Sequence, residues 1–226
     1  PVHDVLEILP AATFSYHQSG LQFEQEVESN LVVKAYRLLQ NNYDIPETSF
    51  HLLKNIPAGA GLGGGSSDAT YTLLGLNTLY NLDISNAELQ DLSGKLGSDC
   101  PCFVLDRPQI ATGRGDVLEP VELALKGYYL NVINPGIHIN TTEAYSEIEL
   151  SEQKESIQKV ISQPIEEWKS HLFNSFESSV FKNHPELQKL KTSLYNEGAL
   201  YASMTGSGSS LYGIYVNEPS NSNGNL

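Results

Sequence analysis

Residues 56–70 read IPAGAGLGGGSSDAT, and how that stretch is read decides the fold of this chain. Gly59, Gly61, Gly63, Gly64 and Gly65 give a backbone that turns through positive φ and approaches a ligand with no Cβ in the way. Ser66, Ser67 and Asp68 are N-capping residue types and are expected to open a helix. The N–H groups of such a first turn have no carbonyl partner within the helix, and the macrodipole adds roughly half a positive charge there. Phosphate is the ligand that suits this arrangement.

As a P-loop the stretch fails, because no Lys-Ser or Lys-Thr pair follows the glycines. Gly59, Gly61 and Gly64 satisfy G-x-G-x-x-G, and Asp83 lies about 20 residues on, as in a dinucleotide fold. The entry to the loop argues against that fold. Asn55, Ile56 and Pro57 separate the preceding strand from the first glycine, and Pro57 cannot donate to a ladder.

Working outward, residues 50–53 read as the strand that feeds the loop, and Ala69, Leu73, Leu76 and Tyr80 fall along one face of the helix that leaves it. Gly75 in that helix reads either as a site of close packing or as tolerated looseness. Upstream, residues 4–9 form a strand ending at Pro10, and residues 13–16 and 21–27 flank Ser19-Gly20 as a hairpin. Ser29 or Asn30 caps a helix with Val32, Ala35, Tyr36 and Leu39 inward, and Lys34 and Arg37 as solvated charges. Downstream, Ser85 and Glu88 form a capping box, Gly97 closes that helix in αL geometry, and residues 109–121 form a hairpin. Residues 128–133 read as a buried strand, and 134–136, Asn-Pro-Gly, as a turn and domain boundary. Helices over 154–172 and 187–195 and strands at 199–204 and 211–216 follow, with a disordered or truncated tail at 217–226.

With 226 residues, 40% hydrophobic and 18% charged, the chain buries a sizeable core as one large or two small domains. No run of about 18 apolar residues occurs, so no membrane span or membrane partner is expected. Thirteen basic against 27 acidic residues, a net charge of −14, argue against a nucleic-acid partner. A phosphorylated small ligand must then be held by backbone amides, a helix terminus, a few local cations and a divalent metal. Cys100 and Cys102 read as free thiols of a reducing compartment. The chain opens on Pro1, with Met204 its one methionine, so residue 1 is expected not to be the translated start.

PAGAGLGGGSSDA at 57–69 resembles the second motif of the GHMP kinase superfamily. The likeness extends to DVLEI at 4–8, NLVVKAYRLL at 30–39, GSDCPCF at 97–103 and TGSGSS at 205–210. The triple glycine before Ser-Ser-Asp-Ala is similar to the branch that serves non-mevalonate isoprenoid synthesis. The resemblance implies an α+β fold of two domains, 1–134 and 135–226, with the active site in the cleft between them. It also implies an enzyme that uses ATP with Mg2+ to phosphorylate the 2-hydroxyl of a small alcohol carrying a cytidine diphosphate group. The bacterial cytoplasm, or the plastid stroma, is the compartment it suggests.

On that resemblance ATP lies against Pro57, Ala58, Gly59, Ala60, Gly61, Leu62, Gly63, Gly64, Gly65, Ser66 and Ser67, with Ser66 or Ser67 near magnesium, although helix capping is the simpler reading of both. Asp99 aligns with the carboxylate that accepts the substrate hydroxyl proton; from the residues alone it reads as a helix-end or N-cap residue. Thr205, Gly206, Ser207 and Gly208 match a third motif that steadies the phosphate loop. Thr141 and Tyr145 match the stretch whose aromatic residue stacks on cytosine. The family's first motif, Pro-x-Lys-[IL]-Asn followed by Asp-Gly-Tyr-His, has no counterpart in the chain and would lie before Pro1. The chain as it stands is therefore expected to be most of a kinase, and inactive. The open alternatives are another GHMP kinase acting on a different alcohol, a nucleotide-binding module without catalysis, and a dinucleotide-dependent oxidoreductase.

Overall fold

Strands β1 (Val5–Pro10) and β2 (Ser15–Gly20) flank β3 (Thr48–Lys54), the first antiparallel and the second parallel, with Ile8 and Tyr16 both opposite Phe50. The structure is a computed structural model that describes residues 2–22, 26–139, 141–146, 148 and 155–219. A parallel pair needs a crossover, and α1 (Leu31–Asn42) supplies it between β2 and β3. The expected hairpin about Ser19-Gly20 is therefore not formed. β2 runs through both residues, Gly20 takes a positive φ of 77°, and Leu21 N donates to Lys54 O at 2.8 Å as the chain leaves the sheet. Val27–Ser29 is then a 3-10 turn, and residues 23–25 lie outside those described.

Alternation along β3 buries Thr48, Phe50, Leu52 and Lys54, while His51 and Leu53 face outward. Against that inner face pack Val32, Ala35, Tyr36 and Leu39 of α1 and Ala69, Leu73 and Leu76 of α2 (Gly64–Leu79). Asn30 caps α1, its Oδ1 accepting from Val32 N at 2.9 Å. Arg37 is more than a solvated charge, since its guanidinium lies 4.2 Å above the Phe14 ring. Gly75 marks close packing, because a Cβ there would stand 2.6 Å from Ile8 Cδ1. Helix α3 (Asn86–Gly94) begins at a Ser85 cap on Glu88 N, 3.3 Å. The Glu88 carboxylate accepts from the Tyr43 hydroxyl at 2.5 Å. Gly97 does not close that helix in αL geometry; α3 ends at Gly94 with Lys95 in right-handed conformation. A 3-10 turn at Cys100–Phe103 and the hairpin β4 (Gln109–Thr112) with β5 (Val117–Pro120) complete this unit, Pro1–Ala58 with Gly63–Val121.

The second unit is Gly59–Leu62 with Glu122–Leu226, so the units divide ahead of the turn at 134–136. Its sheet has the order β6-β8-β7, antiparallel throughout, from β6 (Tyr129–Ile133), β7 (Tyr201–Met204) and β8 (Leu211–Tyr215). β6 is not the buried strand expected. It pairs with β8 at the sheet's edge, and Tyr129 and Leu130 are 46% and 63% exposed. The helices are α4 (Thr141–Ser146), α5 (Ile157–Ile161), α6 (Ile165–His171), α7 (Glu177–Asn183) and α8 (Pro185–Asn196). The single helix expected over 154–172 is broken because Pro164 has no N–H to continue α5 and instead precedes α6; residue 154 lies outside those described. Leu187, Leu194, Ala202, Met204 and Leu211 form one core, and Trp168, Tyr201 and Ile214 anchor another. In the tail, residues 220–226 lie outside those described. Among the described residues, no helix is long and apolar enough to cross a membrane.

Candidate functional site

Helix α2 starts two residues earlier than the Ser-Ser-Asp pattern implies. Its N-cap is Gly63, left-handed at φ 67° and ψ 15°, with no side-chain cap. Ser66, Ser67 and Asp68 therefore lie within the first turns rather than capping them. Glycine replaces a capping side chain here because no other residue takes that conformation cheaply, and because a Cβ on Gly63 would stand 2.9 Å from Phe103 Cζ. Ser67 N already donates to Gly63 O at 2.8 Å. The N–H groups of Gly64, Gly65 and Ser66 precede that bond and have no carbonyl of the helix to reach, an arrangement that favours an anion.

Asp68, one position further on, turns inward. Its Oδ2 accepts from Lys54 Nζ at 2.8 Å, and the same ammonium donates to Asp4 Oδ2 at 2.5 Å. Asp4 Oδ1 also accepts from the backbone N–H of Asn55 and Ile56, at 2.6 and 2.8 Å, which fixes the chain where it leaves β3 for the loop. Strand patterning over residues 4–8 and 50–53 does not by itself disclose this triad. The signal was the strand's period of two, which puts Lys54 in phase with Phe50 and Leu52 on the core face. Lys54 and Asp68 also line a cavity of about 220 Å³ with Gln18, Asn30, Leu52 and Gly65.

Burial pushes the Asp68 carboxyl up to about 6, with Lys54 opposing and the nearby Asp4 charge adding to the rise. Burial acts on Asp4 too, but Lys54 and the amides of Ile56 and Asn55 outweigh it and hold Asp4 below the usual carboxylate range. A carboxyl raised in the folded state binds its proton more tightly there than in the unfolded chain. Asp68 therefore adds stability as pH falls from about 7 through 6 toward 4, whereas the contribution of Asp4 is lost only below about pH 4. Asp68→Asn is expected to flatten the stability profile between pH 5 and 7. Urea unfolding at pH 5, 6 and 7 checks this; identical pH slopes in the two proteins would remove Asp68 as the titrating group.

Asp99 is exposed and stands at the N-cap position of the Cys100–Phe103 turn, but its side chain makes no cap hydrogen bond. It accepts from Ser98 Oγ at 3.3 Å. The segment is tied to the first turns of α2, since Thr70 Oγ1 donates to Cys100 O at 2.8 Å and the Phe103 ring lies against Gly63. The turn that carries the exposed Asp99 carboxylate is thus anchored to the first turns of α2 within one unit. Cys100 and Cys102 are free, as expected, and burial pushes both thiols up, so neither is an activated nucleophile.

In the second unit, Ala60 and Gly61 are brought together with Thr205, Gly206 and Gly208, whereas Gly59 faces the His138 ring. Ala60 O accepts from Ser210 N at 3.2 Å and from Thr205 Oγ1 at 3.4 Å. Gly61 and Gly208 meet backbone to backbone: a Cβ on Gly208 would stand 2.5 Å from both Ala60 C and Gly61 Cα. Tyr145 on α4 is 63% exposed, its ring edge-on to Phe176 with centroids 4.9 Å apart. Thr141 opens the same helix, but its side chain lies outside the described ones. Among the described residues, no group of three or more His, Cys, Asp or Glu side chains could hold a metal ion.

A glycine-opened helix start, anchored to a turn that carries an exposed carboxylate, is compatible with phosphoryl transfer. The chain belongs to the GHMP kinase family: residues 30–107 match the family described as GHMP kinases N terminal domain, and 155–223 match GHMP kinases C terminal. It is 48% identical over 213 residues to the 4-diphosphocytidyl-2-C-methyl-D-erythritol kinase of Azobacteroides pseudotrichonymphae, covering 94% of this chain and 80% of that one. With the protein of the same name from Bacteroides fragilis it shares 42% over 222 residues, covering 96% and 81%. A crystal structure of 4-(cytidine 5'-diphospho)-2C-methyl-D-erythritol kinase superposes with a TM-score of 0.75 at 30% identity, over 93% of this chain and 76% of that one. A mevalonate kinase structure, at TM-score 0.69 and 16% identity, shares the fold.

Proposed function

We propose that this chain carries the ATP-dependent phosphorylation of the 2-hydroxyl of 4-diphosphocytidyl-2-C-methyl-D-erythritol, a step of non-mevalonate isoprenoid precursor synthesis. The observation that carries the reading is the uncapped start of α2, anchored through Thr70 and Cys100 to the turn that carries Asp99, within a chain 48% identical to a kinase of that name. Phosphoryl transfer asks a protein mainly for position and charge stabilisation. The N–H groups of Gly64, Gly65 and Ser66 take the β- and γ-phosphate oxygens. Asp99 accepts the proton of the 2-hydroxyl as its oxygen bonds to the γ-phosphorus and the bond to ADP breaks. The cavity of about 220 Å³ beside Gly65 is of a size and mixed polarity to take a nucleobase.

Magnesium needs few protein ligands when phosphates and water complete its octahedron, so the half-buried hydroxyls of Ser66 and Ser67 fit a metal carried in on the nucleotide. Such a metal would neutralise charge on the β- and γ-phosphates. Thr205, Gly206, Ser207 and Gly208 steady Ala60 and Gly61. The exposed ring of Tyr145, next to Thr141 on α4, offers the cytosine a face worth about 1 to 3 kcal/mol.

The test is ADP release by the intact gene product against a panel of small alcohols that includes the cytidine diphosphate compound, mevalonate and homoserine. Turnover is expected with the first alone. Turnover with another member of the panel moves the chain to a different branch of the family. Protection from thermal unfolding by NAD but not by an ATP analogue would defeat the kinase reading.

A further inference from the structure

Met204 ends β7, directly before the turn on which Ala60 and Gly61 rest, and both poles of its backbone are taken by side chains of one short segment, residues 174–177. Asn174 Nδ2 donates to Met204 O at 2.9 Å and to Gly206 O at 2.8 Å. Glu177 Oε1 accepts from Met204 N at 2.9 Å and from Ser203 Oγ at 3.3 Å. Neither side chain is free to move: Asn174 Oδ1 accepts from Phe176 N at 2.9 Å, and Glu177 is buried with its other oxygen 2.6 Å from Lys191 Nζ.

We infer that Asn174 and Glu177 are positioning residues for the phosphate loop, acting through the Thr205–Gly208 turn. The inference rests on the reading above that residues 59–62 belong to a nucleotide site. Each side chain has one oxygen bound to the helices, Asn174 Oδ1 at the start of α7 and Glu177 Oε2 at Lys191 of α8, and turns its remaining polar atoms to the turn. Both donors of Asn174 go to carbonyls on either side of Thr205, and Glu177 Oε1 takes the amide and hydroxyl just before it. On the far side of the turn, Ala60 and Gly61 contact Thr205, Gly208 and Ser210 with no side chain between them and the Gly208 backbone. A displacement of Met204 therefore passes to the loop undamped. A misplacement of about 1 Å is enough to cost a phosphoryl-transfer site much of its rate.

The experiment compares wild type, Asn174→Ala, Asn174→Asp, Glu177→Gln and Val160→Ala, the last a core change away from the turn. Two quantities are read: affinity for AMP-PNP with magnesium by calorimetry, and amide hydrogen exchange over residues 59–62 and 203–210. Asn174→Ala and Asn174→Asp are expected to speed exchange at Ala60 and Gly61 and to weaken AMP-PNP binding about tenfold or more, the scale of one or two lost hydrogen bonds. Glu177→Gln keeps an acceptor for Met204 N and should lose less. Val160→Ala should lower stability without moving either quantity. Wild-type exchange and affinity in Asn174→Ala, or in Asn174→Asp if the alanine variant does not fold, would overturn the inference. A wild-type protein that ignores AMP-PNP defeats the nucleotide reading instead, and the exchange comparison then decides the positioning claim by itself.

Discussion

Asp99→Asn is expected to lower kcat about 10²-fold or more while leaving ATP affinity and folding nearly unchanged. The substitution keeps the shape of the side chain and removes its ability to accept a proton. Little else depends on that carboxylate. It is exposed, makes no cap hydrogen bond, and its neighbour is the Ser98 hydroxyl at 3.3 Å, which an amide oxygen can equally accept from. The measurement is steady-state turnover of the intact gene product with the melting temperature recorded in parallel. Near-normal turnover in the variant would take Asp99 out of the mechanism.

Gly64→Val is expected to abolish nucleotide binding. From the sequence, the reason is that a side chain would block approach of the phosphates with folding largely retained. The structure gives a different cause. Gly64 is buried, and a Cβ there would stand 2.8 Å from Ile56 Cγ2 and 3.1 Å from Lys54 Nζ. Valine would push the first turn of α2 off Ile56 and disturb the ammonium that holds Asp68 and Asp4. The variant should therefore lose AMP-PNP affinity by about 10²-fold or more and unfold at lower temperature as well, because overpacking a closed site typically costs about 1 to 3 kcal/mol. Calorimetry on the folded protein checks the first effect and thermal unfolding the second. Unchanged affinity would mean that the anion site is not at this helix start.

The part of the fold with strong periodicity was legible. Val32, Ala35, Tyr36 and Leu39 have zero exposure, as their spacing requires, and the hairpin at β4 and β5 follows from its two glycines. The parallel pairing of β2 was not legible, since Ser19-Gly20 carries turn chemistry and it is pairing with the distant Leu53 and Lys54 that keeps both residues in the strand. The start of α2 was misplaced for a related reason. Capping residues were present, but a left-handed glycine with the Phe103 ring against it took the position first. The Asp4, Lys54 and Asp68 triad joins residues far apart in sequence, and no local pattern announces a buried lysine beyond its phase in the strand. Asn174 and Glu177 escaped for the same reason. Their partners on the Ser203–Gly206 segment lie far along the chain, and no spacing rule reports them.

The assignment of Gly59–Leu62 to the second unit and of the residues on either side to the first makes that unit discontinuous along the chain. It cannot be excised as a single stretch. A fragment cut to begin at Glu122 would leave behind the backbone that accepts from Ser210 N and Thr205 Oγ1, and would uncover the bare face of Gly208. Splitting the protein between Val121 and Glu122 therefore does not yield two self-sufficient halves. Complementation between such halves would have to thread one four-residue loop back into its seat.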